Sequence, residues 1–133
     1  MDAAQALADL TEISSQIEAA VLFDEAGAVE GSTLGADAAS QGLVDAARRL
    51  LDAAGGFRGE GGEVTQIEAS TSEGSVFVVV DGARRVVATT AANPTVGLVF
   101  YDLKSCLREA AAEPAKPKRA RRSAAKDEDA GDA

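Results

Sequence analysis

Residues 20–32 read Ala-Val-Leu-Phe-Asp-Glu-Ala-Gly-Ala-Val-Glu-Gly-Ser, and this stretch predicts the first two strands of a sheet. An apolar run, residues 20–23, is followed by a short loop that ends in Gly27 and by a second extended run. This succession is typical of a β-hairpin. The apolar residues of the first strand stand at consecutive positions, as they do again at 76–80, and such strands have both faces buried. We therefore expect a sheet that is covered by helices on both sides.

The rest of the chain supplies three more predicted strands and three predicted helices. Apolar residues three and four positions apart indicate the helices, and Asp81-Gly82 is a strong signal for a hairpin. Gly55-Gly56 is interpreted as the flexible end of the second helix. Together the elements predict an α/β (α+β) fold with a five-stranded, mostly antiparallel sheet, in the order αββαβββα. The predicted bounds are helix 2–17, strands 20–23 and 28–32, helix 36–54, strands 64–70, 75–80 and 84–90, and a last helix from 93 to about 112.

The chain divides near residue 113 into a folding unit and a tail. Residues 114–133 contain no Leu, Ile, Val or aromatic side chain, and such a segment cannot bury enough apolar area to offset its ordering entropy. We therefore predict one domain over residues 1–113, which is an ordinary domain size, and a disordered tail over residues 114–133. The domain carries seven Lys and Arg against 18 Asp and Glu, a net charge of −11, so it is a poor nucleic-acid binder.

The tail has the opposite charge balance, with six basic and four acidic residues. Its basic cluster, Lys116–Arg122, precedes the acidic run Asp127–Asp129. One interpretation is a solubilising tail whose two halves partly neutralise each other. The other is electrostatic tethering to anionic lipid, nucleic acid or an acidic patch. Both interpretations place the tail outside the folded domain.

Residues suited to catalysis or metal binding are scarce in this chain. It has no histidine, which excludes Ser–His and Cys–His nucleophile pairs, most catalytic zinc sites and the usual general base near neutral pH. Cys106 is the single cysteine and lies on the predicted apolar face of the last helix, so we interpret it as a core residue. The acidic pairs Asp24/Glu25 and Glu73/Asp81 fall at predicted turns, where Asp stabilises a turn and Glu is solvated. We therefore predict a protein that is not an enzyme, with no cofactor, catalytic or metal site.

Signals for nucleotide binding and for membrane insertion are also missing. The glycine-rich run 55–62 lacks the Lys and the hydroxyl residue of a phosphate-binding loop, so we interpret it as a flexible linker. The longest uninterrupted aliphatic and aromatic run, Val76–Val80, is far shorter than the about 20 residues that span a bilayer. The N-terminus shows no basic region followed by a long apolar run. These observations predict a cytoplasmic protein.

Arg48 and Arg49 form a basic pair in the middle of the second predicted helix of an acidic domain. A spacing of four positions suits internal ion pairs, either Asp45–Arg49 or Arg48–Asp52. The alternative is a basic spot that meets an acidic or nucleotide-loaded partner. The sequence leaves both interpretations open. With Gln41 on the same helix, these residues form the predicted partner-binding set.

With these elements in place, the chain resembles the Roadblock/dynein light-chain family, which includes bacterial partners of Ras-like gliding-motility GTPases. The resemblance covers about residues 7–112 and rests mainly on the order of the elements. Three local signals accompany it: the hairpin at 22–27, the long alanine-rich second helix, and Gly97-Leu98 at the opening of the last helix. The chain departs from the family at Glu30, where a small apolar residue is more common, and in its charged tail.

The resemblance implies strand order 2-1-5-4-3, with the first and last helices on one face of the sheet and the middle helix on the other. It also implies a homodimer in which the third strand pairs with its symmetry mate and the two middle helices lie together. The implied function is a non-catalytic regulator or scaffold that binds a Ras-like small GTPase and biases its switch conformation. A general signalling scaffold or a ligand-sensing module without a GTPase partner is the alternative. The expected dimer-interface residues are Val64, Ile67, Leu43 and Ala47.

Overall fold

The computed structural model describes residues 2–58 and 63–111 of the chain. Three helices and five strands follow one another in the predicted order. Residues 59–62 of the predicted linker and the predicted tail, residues 114–133, lie outside the described residues. The elements are α1 (Ala3–Ile13), β1 (Ile17–Asp24), β2 (Val29–Ser32), α2 (Asp37–Arg58), β3 (Gln66–Ser70), β4 (Gly74–Asp81), β5 (Arg84–Ala91) and α3 (Val96–Ala111).

The five strands form an antiparallel sheet in the order β2-β1-β5-β4-β3. The eight-residue strands β1, β4 and β5 lie in the centre, and the short strands β2 and β3 lie at the edges. Val87 of β5 pairs with Val21 of β1 on one side and with Val78 of β4 on the other. The continuous apolar runs of the sequence are therefore the buried centre of the sheet. The predicted fold class and the implied strand order are both confirmed.

The sheet separates two apolar layers. α1 and α3 cover one face, and α2 covers the other, as the resemblance implied. Successive side chains of a strand point to opposite faces of the sheet, and each face of the central strands is covered by a helix. This arrangement explains why β1 and β4 are apolar at consecutive positions. The α1–α3 layer includes Leu7, Leu10, Leu22, Phe77, Leu103 and Leu107, and the α2 layer includes Val21, Phe23, Val44, Ala47, Val78 and Val87.

α1 is shorter than predicted, because it ends at Ile13 and not at residue 17. Its start is capped by Asp2, whose Oδ1 accepts a hydrogen bond from the backbone N–H of Gln5 at 2.8 Å. Ile17 continues the helical spacing of the sequence, but it begins β1 and pairs with Thr90 of β5. Pairing within the sheet therefore outweighs the local helical pattern.

α2 is longer than predicted, because it runs through Gly55-Gly56 as far as Arg58. The predicted stop at the two glycines is wrong. Each glycine costs about 1 kcal/mol relative to alanine inside a helix, but extending an existing helix adds one hydrogen bond per residue and needs no new nucleus. Although α2 spans 22 residues, no helix within the described ranges is both long and apolar enough to cross a membrane.

Asp24 fixes the turn between β1 and β2, as predicted for an aspartate at this position. Its Oδ1 accepts hydrogen bonds from the backbone N–H of Ala26 at 3.0 Å and of Ala28 at 2.9 Å. Gly27 has a φ of 89°, in the left-handed region that glycine adopts without strain. The turn places Glu25 beside the middle of α2, next to the predicted partner-binding residues.

Candidate functional site

The predicted arginines of α2 lie beside a groove of about 390 Å³. The groove is bounded by the polar side of α2, the turn between β1 and β2, and the beginning of β5. Three arginines and three carboxylates meet there above two apolar side chains. The groove is lined by Phe23, Glu25, Asp45, Arg48, Arg49, Leu51, Asp52 and Arg85.

Arg48 lies against the turn between β1 and β2. A Cβ atom added to Gly27 would stand 2.6 Å from Arg48 Nη1 and 3.2 Å from Arg48 Cδ. The missing side chain at Gly27 therefore leaves the room that this guanidinium occupies. Arg48 and Arg49 are both exposed, so the pair presents positive charge on the surface of an acidic domain.

The ion pairs that the spacing of α2 allowed are not formed. Between described residues, the side-chain ion pairs within 4.0 Å all lie outside α2. The interpretation of Arg48 and Arg49 as partners of Asp52 and Asp45 is therefore wrong for this structure. Asp45 Oδ1 instead accepts a hydrogen bond from Gln41 Nε2 at 3.2 Å. The two arginines thus keep their charge available for a group outside the domain.

Arg85 of β5 completes the groove, and sequence reasoning missed it. Its Nη2 lies 4.0 Å from Glu25 Oε2, and its Nη1 donates to the backbone oxygen of Gly82 at 3.1 Å. Its side chain is only 18% exposed. The implied strand order is the one feature that could have placed Arg85 in this groove. In that order Arg85 pairs with Phe23 of β1, so the two side chains share one face of the sheet.

The predicted interface residues lie on α2, on β3 and, for Val64, in the segment just before β3, and one of them is misassigned. Val64, Ile67 and Leu43 are half-buried, and the last two pack against the apolar layer under α2. Ala47 has no exposed surface. Because a side chain that is fully buried in its own domain cannot contact a second copy, the assignment of Ala47 to the interface is wrong.

Cys106 is a core residue, as predicted, and is 2% exposed. Burial, and then the negative charges of Glu109 and Asp9, raise the pKa of its thiol to about 12. The thiol is therefore protonated near neutral pH and lacks the thiolate that a nucleophile or metal ligand needs. Within residues 2–58 and 63–111, no three His, Cys, Asp or Glu side chains are grouped so that they could hold a metal ion.

Known proteins share this architecture at low sequence identity. No protein-family model matches the sequence, and no curated protein matches it either. The Roadblock/LC7 domain from Streptomyces avermitilis superposes with a TM-score of 0.73 at 16% identity, covering 84% of this chain and 96% of that one. The gliding protein MglB from Thermus thermophilus gives a TM-score of 0.62 at 18% identity, covering 82% and 85%. MglB from Myxococcus xanthus gives 0.61 at 17% identity, covering 80% of each chain.

These similarities define the architecture of the chain. It has the Roadblock/LC7 fold, so the resemblance seen in the sequence is confirmed at the level of the fold. The similar structures include both a Roadblock/LC7 domain and MglB from two organisms. Because one fold can support several functions, the function has to be argued from the surfaces described above.

Proposed function

We propose that this protein is a homodimeric, non-catalytic regulator or scaffold that binds a Ras-like small GTPase and biases the conformation of its switch regions. The observation that carries the proposal is the fold shared with MglB. Exposed arginines on α2, without an ion-pair partner among the described residues, support it. Such a protein needs no catalytic group, because a partner that binds one switch conformation more tightly shifts the GTPase toward it.

Homodimer formation is supported by β3 and by the apolar side chains beside it. Within the described sheet β3 pairs with β4 alone, so its outer edge offers backbone groups to a second copy. On the α2 face, a set of apolar side chains is only half-buried, and a second copy would complete their burial. This apolar rim consists of Leu34, Leu43, Leu50, Leu51, Ile67 and Val76.

The polar side of α2 is the surface that we assign to the GTPase. If two α2 helices lie side by side in the dimer, Arg48 and Arg49 of both protomers face the same direction. A nucleotide-loaded GTPase presents acidic and phosphate-bearing groups, and guanidinium suits both by its planar geometry and constant charge. Asp45 and Asp52 in the same groove would select basic side chains on the partner, and Gln41 orients Asp45 through its hydrogen bond.

The double variant Arg48→Glu/Arg49→Glu tests this surface. It replaces two positive charges by two negative ones, and like-charge repulsion across an interface costs several kcal/mol. We expect affinity for a Ras-like GTPase from the same organism, loaded with a non-hydrolysable GTP analogue, to fall by roughly a hundredfold. Titration calorimetry measures the loss, and circular dichroism checks that the variant is folded.

A matched control is available on the opposite face of the sheet. Lys104→Glu/Arg108→Glu makes the same change of charge at two exposed positions of α3. This control variant is expected to keep the affinity of the unmodified protein. An intact Arg48→Glu/Arg49→Glu variant with unchanged affinity would contradict the proposal. An equal loss of affinity in both variants would show that the GTPase is attracted by the overall charge of the protein and not by this surface of α2.

A further inference from the structure

A second groove lies between α1 and α3, on the face of the sheet that α2 does not cover. α1 and α3 pack side by side there, and the groove between them has a volume of about 200 Å³. Its floor is formed by small and apolar side chains that belong to the α1–α3 layer. The groove is lined by Ala6, Leu10, Ile13, Tyr101, Asp102, Ser105, Cys106 and Glu109.

Large apolar side chains are exposed along this groove. Ile13 at the end of α1 is 68% exposed, and Tyr101 on α3 is 64% exposed. Leu98, one helical turn before Tyr101, is 55% exposed and lies on the same side of α3. Single exposed apolar residues are common, but a group of them around a groove marks an interaction surface.

Carboxylates flank the same groove. Asp102 and Glu109 of α3 line it directly. Asp9 of α1 lies close enough that, with Glu109, its charge raises the pKa of the Cys106 thiol at the floor. The groove therefore combines an apolar floor and apolar edges with negative charge from both helices.

The basic side chains of α3 lie mainly on its other side. Lys104 and Arg108 line a separate pocket beside β3 and β4. Arg108 also donates to Ser105 Oγ at 3.1 Å, so one guanidinium reaches the edge of the α1–α3 groove. Three carboxylates against this single guanidinium leave the groove acidic.

We propose that the α1–α3 groove docks a lysine- or arginine-rich amphipathic helix of another protein. A helix fits because its apolar stripe can insert between two neighbouring helices, where ridges of side chains meet grooves. Basic residues beside that stripe would then face Asp9, Asp102 and Glu109. The site is independent of the proposed GTPase surface, since the sheet separates the two, and both surfaces can be occupied at once.

Other occupants fit the groove less well. A second copy bound by two-fold symmetry would bring the same carboxylates of both copies together, which is repulsive. An anionic membrane would be repelled by the same charges. The basic cluster Lys116–Arg122 of this chain matches the charge, but it has no apolar side chain larger than alanine apart from proline. An external helix alone supplies both the charge and the apolar stripe.

Tyr101 provides a direct probe of this groove, because the chain has one tyrosine and no tryptophan. The probe ligand is an amphipathic peptide of leucine and lysine, about four helical turns long; its control has glutamate in place of lysine. We expect the lysine peptide to change the Tyr101 emission in a saturable way. The glutamate peptide should leave the emission unchanged.

Variants then separate the groove from the rest of the acidic surface. Ile13→Ser should weaken binding of the lysine peptide at least about tenfold by calorimetry, because it removes an apolar contact at the edge. Phe57→Ser is the matched control, since Phe57 is 82% exposed and belongs to α2, which covers the other face of the sheet. Asp102→Lys/Glu109→Lys should reverse the preference, so that the glutamate peptide binds better than the lysine peptide.

Several results would overturn the proposal. One is an equal effect of Ile13→Ser and Phe57→Ser, and another is equal binding of the two peptides to the unmodified protein. A lower oligomeric mass of Ile13→Ser in sedimentation would identify a second copy as the occupant. Binding of the unmodified protein to anionic vesicles that is lost in Ile13→Ser would identify a membrane. Circular dichroism of each variant confirms that it is folded.

Discussion

At the scale of single residues, the chemistry of Cys106 is decided by its surroundings. It lies on α3 between the sheet and α1, where burial and the charges of Glu109 and Asp9 all disfavour a thiolate. A reactive cysteine needs the opposite surroundings, with exposure and a positive neighbour. The apolar spacing of the last helix was enough to predict this from the sequence.

The raised pKa of Cys106 makes its thiol slow to react. Moving the pKa from 9.0 to about 12 lowers the thiolate fraction near neutral pH about a thousandfold, since each pKa unit is a factor of ten. We therefore expect iodoacetamide to label the folded protein far more slowly than the urea-unfolded protein at pH 8. Similar labelling rates in the two states would contradict the buried position.

The same shift has a consequence for stability at alkaline pH. The pKa of Cys106 is higher in the folded than in the unfolded protein. The stability that the neutral thiol contributes to the folded state is therefore fully present below about pH 9. That contribution is lost as the pH rises toward 12. A Cys106→Ala variant should therefore lose less stability than the unmodified protein between these two values, as measured by urea denaturation.

The arginines show where single-residue predictions from sequence fail. A spacing of four positions permits an ion pair in a helix, but it does not decide where a long side chain lies. Arg48 lies instead against Gly27, which is distant in sequence. The departure at Glu30 has a similar explanation, because its carboxylate pairs with Arg84 Nε at 2.8 Å. Contacts of this kind depend on the strand order, which no local pattern contains.

At the scale of elements, the types and order of helices and strands were predictable, and their ends were less so. β1 and β4 were indicated by continuous apolar runs, and these runs require burial on both faces. The boundary between α1 and β1 was wrong, because Ile17 satisfies the helical spacing and also the pairing with β5. Only the finished sheet decides between the two.

The glycines within α2 provide a test of its length. A Cβ atom at Gly55 or Gly56 would meet no atom within 4 Å, so alanine fits at both positions. The variant Gly55→Ala/Gly56→Ala should raise the free energy of unfolding by about 1–2 kcal/mol, because alanine favours a helix over glycine. Thermal denaturation measures the change.

The matching control for the glycine test is a position with left-handed backbone. Gly82 has a φ of 63°, so Gly82→Ala should lower the stability, since a Cβ is strained there. If the double alanine variant of α2 is no more stable than the unmodified protein, α2 ends before Gly55 in solution.

β3 is the element on which the proposed homodimer depends. Val80 donates its N–H to Thr65 O at 2.9 Å, and Thr71 donates to Gly74 O at 2.8 Å. Because hydrogen-bonded pairs alternate along an antiparallel ladder, Ile67 is bonded to β4 and the N–H of Glu68 points away from it. Proline at Ile67 would therefore damage the sheet itself, whereas Glu68 is the position that probes pairing with a second copy.

Glu68→Pro should produce a monomer, because proline removes an outward N–H from the edge strand. Glu68→Ala is the matched control, since it shortens the same side chain and keeps the N–H. We expect sedimentation at tens of micromolar to give a dimer for the control and a monomer for the proline variant. A monomeric unmodified protein would refute the homodimer, and a dimeric proline variant would place the interface elsewhere.

At the scale of the whole molecule, the sheet gives the protein two separate surfaces. The face that α2 covers carries the arginines and the apolar rim, and α1 and α3 present an acidic, apolar groove on the other face. A protein with two such faces can hold two partners without competition between them. This division matches the order of the elements, because α2, which connects the first two strands to the last three, covers one face alone, while the first and last helices share the other.

The charged tail is the last part of the molecule to test, and we predict that it is dispensable for folding. Truncation after Glu113 removes residues 114–133, which contain no apolar side chain larger than alanine apart from proline. Their remaining attraction to the domain is electrostatic, because the tail has a net charge of +2 and the domain one of −11. Salt screens this attraction beyond about 8 Å at physiological ionic strength. Calorimetry at physiological salt should therefore give almost the same melting temperature for the truncated and the full chain. At low salt a small difference is expected, because the attraction is then less screened. A loss of several degrees at physiological salt would show that the tail packs on the domain.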